Sequence, residues 1–392
     1  MIRTRPALAA AALLALAACS AGTPAEQRER MGRAATGDVV VAAVWPWELR
    51  ADQIRFAEGL QMAIDEVNTS GGIHGRKLVL RREDDHGSVN EGLMVAQKLA
   101  DDPSVAAVIG HLNSYVTVPA AAVYEGAGLL MVAPASTDPE LTRKGYGNVF
   151  RIIPTDQQTG REMAEYAAAH GYGRVGIYYV RDSYGRALAN AFEERAASTG
   201  LTVAVRASYD PDAPGQSRSF ATTLREWKDM ELDAIFLAGQ VPQAGSLVAE
   251  ARRQGLNVPV LGDDAMSSPA LVQAGGASVE GTVVPAPFSA AEPRPAVQRF
   301  VQAFRARYHV DPDPGSALGY DAMRVLADAM RRANSAAPGD VARAMRAMRH
   351  EGVTGAIAFD GDGDLKQRAM VKTVVRNGAF HYLGEQLAQA ER

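Results

Sequence analysis

Residues 105–140 read VAAVIGHLNSYVTVPAAAVYEGAGLLMVAPASTDPE, and this stretch decides the fold. Val105 to Ile109 is an apolar run of strand length, a helix starts near Ser114 and stops at Gly126 and Gly128, and Leu129 to Ala133 is a second apolar strand. The order is that of a βαβ unit, whose strands are parallel. Both strands run into hydroxyls: Ser114 follows the first, Ser136 and Thr137 the second. Such neighbours would present hydroxyls and free N–H groups on one sheet edge, the carboxyl edge where open parallel sheets bind ligands and a helix N-terminus favours an anion. Taken singly, Ser114 reads equally as a helix N-cap and Thr137-Asp138 as a turn. Their pairing on one edge points to a carboxylate-sized polar site.

The same strand–helix alternation extends in both directions. Upstream lie the strand Asp38 to Trp45, an amphipathic helix (FAEGLQMAIDEV) closed by Gly71-Gly72, the strand Leu78 to Arg82 and a helix Val89 to Ala100. A second run follows Arg151-Ile152-Ile153-Pro154, with strands at Arg174 to Val180, Thr202 to Ser208, Ala234 to Ala238 and Val258 to Gly262 and helices between them. This pattern predicts an α/β chain of two Rossmann-like lobes, each built on a parallel sheet covered on both faces. The late helices (Ala296 to Tyr308, Ser316 to Asn334, Val341 to Met348) need a sheet to cover and are expected to return to the first lobe. The expected organisation is lobe 1 from 38–153 plus 286–358 and lobe 2 from 154–285 plus 359–392. Crossings near Ile153, Pro285 and Phe359 would form a multi-strand hinge.

A chain of 392 residues that is 47% hydrophobic and 22% charged suits about two globular domains. A net charge of -4 without a basic cluster argues against nucleic acid. The first 19 residues, MIRTRPALAAAALLALAAC, have the charge, length and small-residue cleavage site of a secretory signal peptide (1–18). Leu16-Ala17-Ala18-Cys19 also resembles the bacterial lipobox, which implies lipid on Cys19, the only cysteine. Residues 19–37 are small and polar and read as a flexible tether, and no later run approaches the ~18 apolar residues of a membrane span. The folded part is expected outside the cytoplasm, in the periplasm or at the cell surface.

Other motifs carry less. Gly171 to Gly176 spells GxGxxG, but before a strand rather than between strand and helix, so it cannot bring a pyrophosphate to a helix N-terminus. Asp360-Gly-Asp-Gly-Asp364 imitates a calcium loop but has Leu365 where the turn needs glycine and Val371 where the loop needs glutamate; a tight turn between strands fits better. Asp84, Asp85 and His86 lack metal-ligand partners in sequence. Ser114 has His111 nearby but no GxSxG elbow, so catalysis is disfavoured. No enzyme activity, metal or cofactor is expected.

GLQMAIDEVNTSGGIHGRKL, Asp84-Asp85, VIGHLNS, GLLMVAPASTDPELTRKGY, VFRIIPTDQQTG, the DSYG of Asp182 to Gly185 and FDGDGD follow one another along the chain. In these pieces, from about Asp38 to Val375, the chain resembles the leucine/isoleucine/valine-binding proteins, substrate-binding components of ABC transporters with the type I periplasmic fold. The resemblance implies a ligand held between two closing lobes. It assigns the ligand α-carboxylate to Ser114, Ala135 and Thr137, with Ser136 beside them among the ligand-binding candidates, a second-lobe contact to Tyr184, the α-ammonium to Asp264 with Asp263 as competitor, and the side-chain pocket to Trp45 or Trp47. Burying a zwitterion demands partners for both charges, which hydroxyls, N–H groups and an aspartate would supply. The chain departs from the family's usual glutamate at Asp264 and usual tyrosine at Gln240. The expected function is an extracytoplasmic solute-binding lipoprotein for an amino acid or similar small carboxylate or amide, a monomer working with an ABC permease and ATPase; the alternative is a sensor of the same fold that signals through a partner protein.

Overall fold

The computed structural model describes residues 22–384 apart from 35, 51–53, 212, 214–215 and 367. The signal peptide and Cys19 lie outside the described residues. The chain enters through helix α1 (Pro24–Arg33) and then builds lobe 1 from β1 (Val39–Trp45), α2 (Phe56–Thr69), β2 (Leu78–Asp84), α3 (Val89–Asp101), β3 (Val105–Gly110), α4 (Ser114–Gly126), β4 (Leu130–Ala133) and β5 (Val149–Arg151). The five strands are parallel in the order β2-β1-β3-β4-β5. Lobe 2 follows with α5 (Asp156–Ala169), β6 (Arg174–Val180), α6 (Ser183–Thr199), β7 (Thr202–Tyr209), α7 (Gln216–Trp227), β8 (Ala234–Ala238), α8 (Gln243–Arg253), β9 (Val260–Leu261), α9 (Pro269–Gly275) and β10 (Val283–Ala286).

The chain then returns with α10 (Pro295–Tyr308), α11 (Pro314–Ala333), α12 (Pro338–Ala347) and the ribbon β11 (Arg349–Gly352) and β12 (Gly355–Ala358). These elements cover lobe 1: Met323, Leu326 and Met330 of α11 share a buried core with Val41, Phe56 and Ile109. Helices α2 and α11 touch at backbone level, because a Cβ on Gly59 would lie 1.9 Å from the Ser316 carbonyl oxygen. Finally β13 (Val371–Arg376) and β14 (Ala379–Leu383) add antiparallel to lobe 2, giving a seven-stranded sheet in the order β14-β13-β10-β9-β8-β6-β7.

Three expectations need correction. Residues 24–33 of the expected tether form α1, opened by a capping box between Thr23 and Glu26. The helix is pinned by Arg28, 1% exposed, which donates to the carbonyls of Val105 (2.8 Å), Ala127 (2.9 Å), Ala100 (2.7 Å) and Asp102 (3.1 Å). Satisfying the open carbonyls at the end of α3 is a polar reason for docking that hydrophobic periodicity does not register. The last crossing comes later than Phe359: Phe359 and Leu365 bridge each other and stay in the lobe 1 core, where Phe359 meets Phe150 edge-on at 5.0 Å. The acidic turn between them is clamped by a guanidinium, since buried Arg151 donates through Nε to Asp364 Oδ1 (2.9 Å) and through Nη2 to Oδ2 (2.5 Å). The third difference is small: β9 is shorter than the apolar run around it.

Candidate functional site

Parallel strands end on one edge, so residues that follow apolar runs far apart in sequence meet in space. On lobe 1, Ser114 opens α4 directly after β3, while Ala135 and Thr137 follow β4. On lobe 2, Asp182 and Tyr184 follow β6, Gln240 follows β8 and Asp264 follows β9. Between these edges lies a cavity of about 150 Å³ lined from lobe 1 by Trp45, Ser114, Ala135 and Thr137 and from lobe 2 by Tyr184, Gln240 and Asp264. Seven residues singled out from the sequence thus meet around one space.

Others stand back from it. Ser136 is fully buried behind the wall, and its hydroxyl donates to Ser114 Oγ at 3.1 Å. Ser114 Oγ also receives the Asp138 N–H at 3.4 Å, so its own proton is free to serve an acceptor in the cavity. Asp263 is buried outside the lining and caps the next turn through the Met266 N–H at 3.1 Å. Trp47 is also off the lining; its indole N–H donates to the Glu83 carbonyl at 2.8 Å. The sequence reading missed Ile54, Pro287 and Leu318 as apolar lining, and Asp182 and Asp313 as polar lining. The two aspartates were legible as helix N-caps, of α6 and α11 respectively, but their place beside the cavity depends on how the lobes meet.

The second-lobe wall is acidic. The Tyr184 hydroxyl donates to Asp264 Oδ1 at 3.1 Å and accepts the Ala265 N–H at 3.4 Å. Burial pushes the Asp264 carboxyl up to about 6, with the Tyr184 hydroxyl opposing the rise. Burial, then the adjacent Asp264 charge, drives Asp263 well above the carboxylate range. Asp156, at the start of α5, is also raised well above it by burial and by Asp264. The Thr137 side chain opposes that rise, and the Asp156 N–H donates to the Thr137 carbonyl at 2.9 Å. Asp264 is therefore the group of the three that ionises most readily. Gln240 Nε2 donates to Asp182 Oδ2 at 2.9 Å, and no lysine, arginine or histidine among the described residues lines the cavity. A wall of this kind suits a cation facing lobe 2 and an anion facing the hydroxyls and N–H groups of lobe 1.

His111 does not act on Ser114. Its ring is buried between Asp85 Oδ2, 2.6 Å from Nδ1, and the Tyr124 hydroxyl, 3.1 Å from Nε2. Because a carboxylate only accepts, Nδ1 donates to Asp85, while Nε2 and the Tyr124 hydroxyl share the second bond. The trio braces the turn that presents Ser114. Among the described residues no group of His, Cys, Asp and Glu could hold a metal, and no helix is long and apolar enough to cross a membrane.

A family model described as periplasmic binding protein matches residues 51–379. The leucine-specific-binding protein of Salmonella typhimurium is 30% identical over 309 residues, 79% of this chain and 82% of that protein. A leucine-, isoleucine-, valine-, threonine- and alanine-binding protein of Pseudomonas aeruginosa is 30% identical over 79% of this chain and 81% of its own length. Among solved structures, an ABC-transporter substrate-binding protein from Desulfitobacterium hafniense in complex with Leu is 37% identical, with a TM-score of 0.79, covering 88% of this chain and 100% of that one.

Proposed function

This chain belongs to the periplasmic binding protein family, among the branched-chain amino-acid-binding components of ABC transporters, and on that premise we propose that it captures a small α-amino acid of the leucine, isoleucine and valine class between its lobes. It is a substrate-binding protein, not an enzyme. In this reading the α-carboxylate lies against Ser114, Ala135 and Thr137, the α-ammonium against Asp264 and Tyr184, and the side chain among Trp45, Ile54 and Leu318. Ser136 acts through Ser114, and Gln240 with Asp182 trims the second-lobe wall.

The observation that carries the reading is one cavity with hydroxyls on one lobe and a partnered, ionisable aspartate on the other. The volume of about 150 Å³ supports a single amino acid over a peptide, since a cavity of that size holds a molecule of roughly benzene's bulk. A ligand that touches both lobes only when they are together favours the closed state by that difference in contact. The proposal extends to a lipid on Cys19, to delivery of the ligand to a permease and ATPase pair, and to a monomer.

Calorimetry on protein beginning at residue 20, which keeps α1, against branched-chain, aromatic and amide amino acids and simple carboxylates tests the reading. Micromolar or tighter binding of a branched-chain amino acid is expected; binding only of ligands without an α-ammonium would overturn it.

A further inference from the structure

The lobes are joined by three crossings: residues 152–155, the segment after β10, and the segment before β13. Arg368, on the third, bonds to both sides. Its Nη2 donates to the Ile152 carbonyl on the first crossing at 3.1 Å, and its Nη1 to Thr354 Oγ1 in the lobe 1 ribbon at 2.9 Å. Its own carbonyl accepts Gln158 Nε2 from α5 of lobe 2 at 2.7 Å. Thr354 passes the bond on, since its hydroxyl donates at 2.5 Å to Asp321 Oδ2, and buried Asp321 also accepts the N–H groups of Val353 and Thr354. The second crossing joins the same ribbon through Arg294, which donates to the carbonyls of Gly352 and Val353 and pairs with Glu292. The ribbon must lie directly on Asp321, because a Cβ on Gly352 would fall 2.4 Å from Asp321 Oδ2.

The crossings also form part of the cavity, for Ile153 of the first and Pro287 of the second line it. One residue therefore links the crossings without lining the cavity: the Arg368 side chain fastens the third crossing to the first and to the lobe 1 ribbon, and its carbonyl holds lobe 2 through Gln158. We infer that Arg368 is a positioning residue for ligand capture, the staple that sets the angle between the lobes and hence the fraction of molecules ready to close. This rests on the two-lobe binding reading above. Loss of the staple frees the crossings, spreads the unliganded molecule over more angles and lowers the competent fraction, so the apparent dissociation constant rises in proportion.

The experiment is pulsed electron–electron resonance between spin labels at Gln97→Cys and Glu226→Cys, exposed residues of α3 and α7, in protein beginning at residue 20, which has no cysteine of its own. Without ligand, Arg368→Met is expected to broaden or shift the interlobe distance distribution, and Arg368→Lys, with fewer donors, to fall between it and wild type. The leucine dissociation constant should rise at least fivefold in Arg368→Met while the order of preference among amino acids is kept. Ser114→Ala is the control, expected to weaken binding with the unliganded distances unchanged. If Arg368→Met does not fold, Arg368→Lys carries the test. Distances identical to wild type in the folded variants, or a shifted distribution with unchanged affinity, overturn the assignment. Wild type that binds no amino acid would overturn the proposed function, while the unliganded distances still decide the role of Arg368.

Discussion

Asp264→Asn should weaken binding and strengthen the fold at once. The asparagine keeps an acceptor for the Tyr184 hydroxyl, now 3.1 Å from Oδ1, but removes the charge assigned to the ammonium. Loss of one member of a buried charge pair costs about 2–3 kcal/mol at the low end of the usual range, or roughly 30- to 150-fold in affinity. Stability moves the other way. The folded protein holds the Asp264 proton up to about pH 6, whereas an ordinary aspartate releases it near 3.8, a difference equivalent to about 3 kcal/mol for a group cut off from solvent. Asp264 keeps some access to solvent in the cleft, which screens that figure to about 1 kcal/mol. Over that window the folded state binds the extra proton, so unliganded stability falls as pH rises and the penalty is complete above about pH 6. Unliganded Asp264→Asn should therefore melt higher than wild type at pH 7.5 and about level with it near pH 4. Wild-type affinity should weaken up to about tenfold per pH unit below pH 6, because the proton must leave before the ammonium pairs, and the variant should lose that slope. Calorimetric titration at pH 5 and 7.5 and scanning calorimetry at pH 4 and 7.5 read both. Unchanged affinity in the variant, or a lower melting temperature at pH 7.5, would refute the reasoning and return Asp263 as the partner.

Ser114→Ala removes a hydroxyl that the lobe 1 wall offers to the carboxylate and leaves the Ser136 proton without its acceptor; a loss of about 2 kcal/mol in leucine binding, read by calorimetry, is expected. Arg28→Met strips four or more backbone carbonyls of their donor and should cost about 2–4 kcal/mol in urea unfolding with no change in ligand affinity. An affinity change there would link α1 to the cleft. For the anchor, Cys19→Ser should abolish metabolic labelling by palmitate and move the protein from the membrane to the soluble extracytoplasmic fraction; a protein that stays membrane-bound without label would count against a lipid at this position.

The cavity was readable to the extent that a parallel sheet makes it so. Ser114, Thr137, Tyr184, Gln240 and Asp264 each follow an apolar strand, and strand ends share an edge whatever the loops do. Pro287 and Leu318 give no such signal, because they reach the cavity through the second crossing and the return of α11, and Ile54 lies well down the β1–α2 connection rather than at the strand end. Asp156 illustrates another limit. Its Thr155 cap is a local pattern, but its burial, and the raised carboxyl that follows from it, exist only once Thr137 of lobe 1 packs against the start of α5. Helix α1 was missed because a buried guanidinium, not an apolar stripe, holds it.

The interleaving of the lobes along the chain has a consequence for assembly. Val39 and Val41 belong to the first strand made, yet their core is completed by Ile357, Phe359 and Leu365, more than 300 residues later. Lobe 1 cannot finish until almost the whole polypeptide has emerged, whereas most of the lobe 2 sheet is already available by residue 286. Contacts this distant along the chain are slow to form. A newly made molecule should therefore carry a largely formed second half beside a first half that still exposes its strands, the interval in which a chaperone finds the most to hold. By the same logic a stop near residue 350 is no trimming of a tail: it removes the closing pieces of the core built on the opening strand.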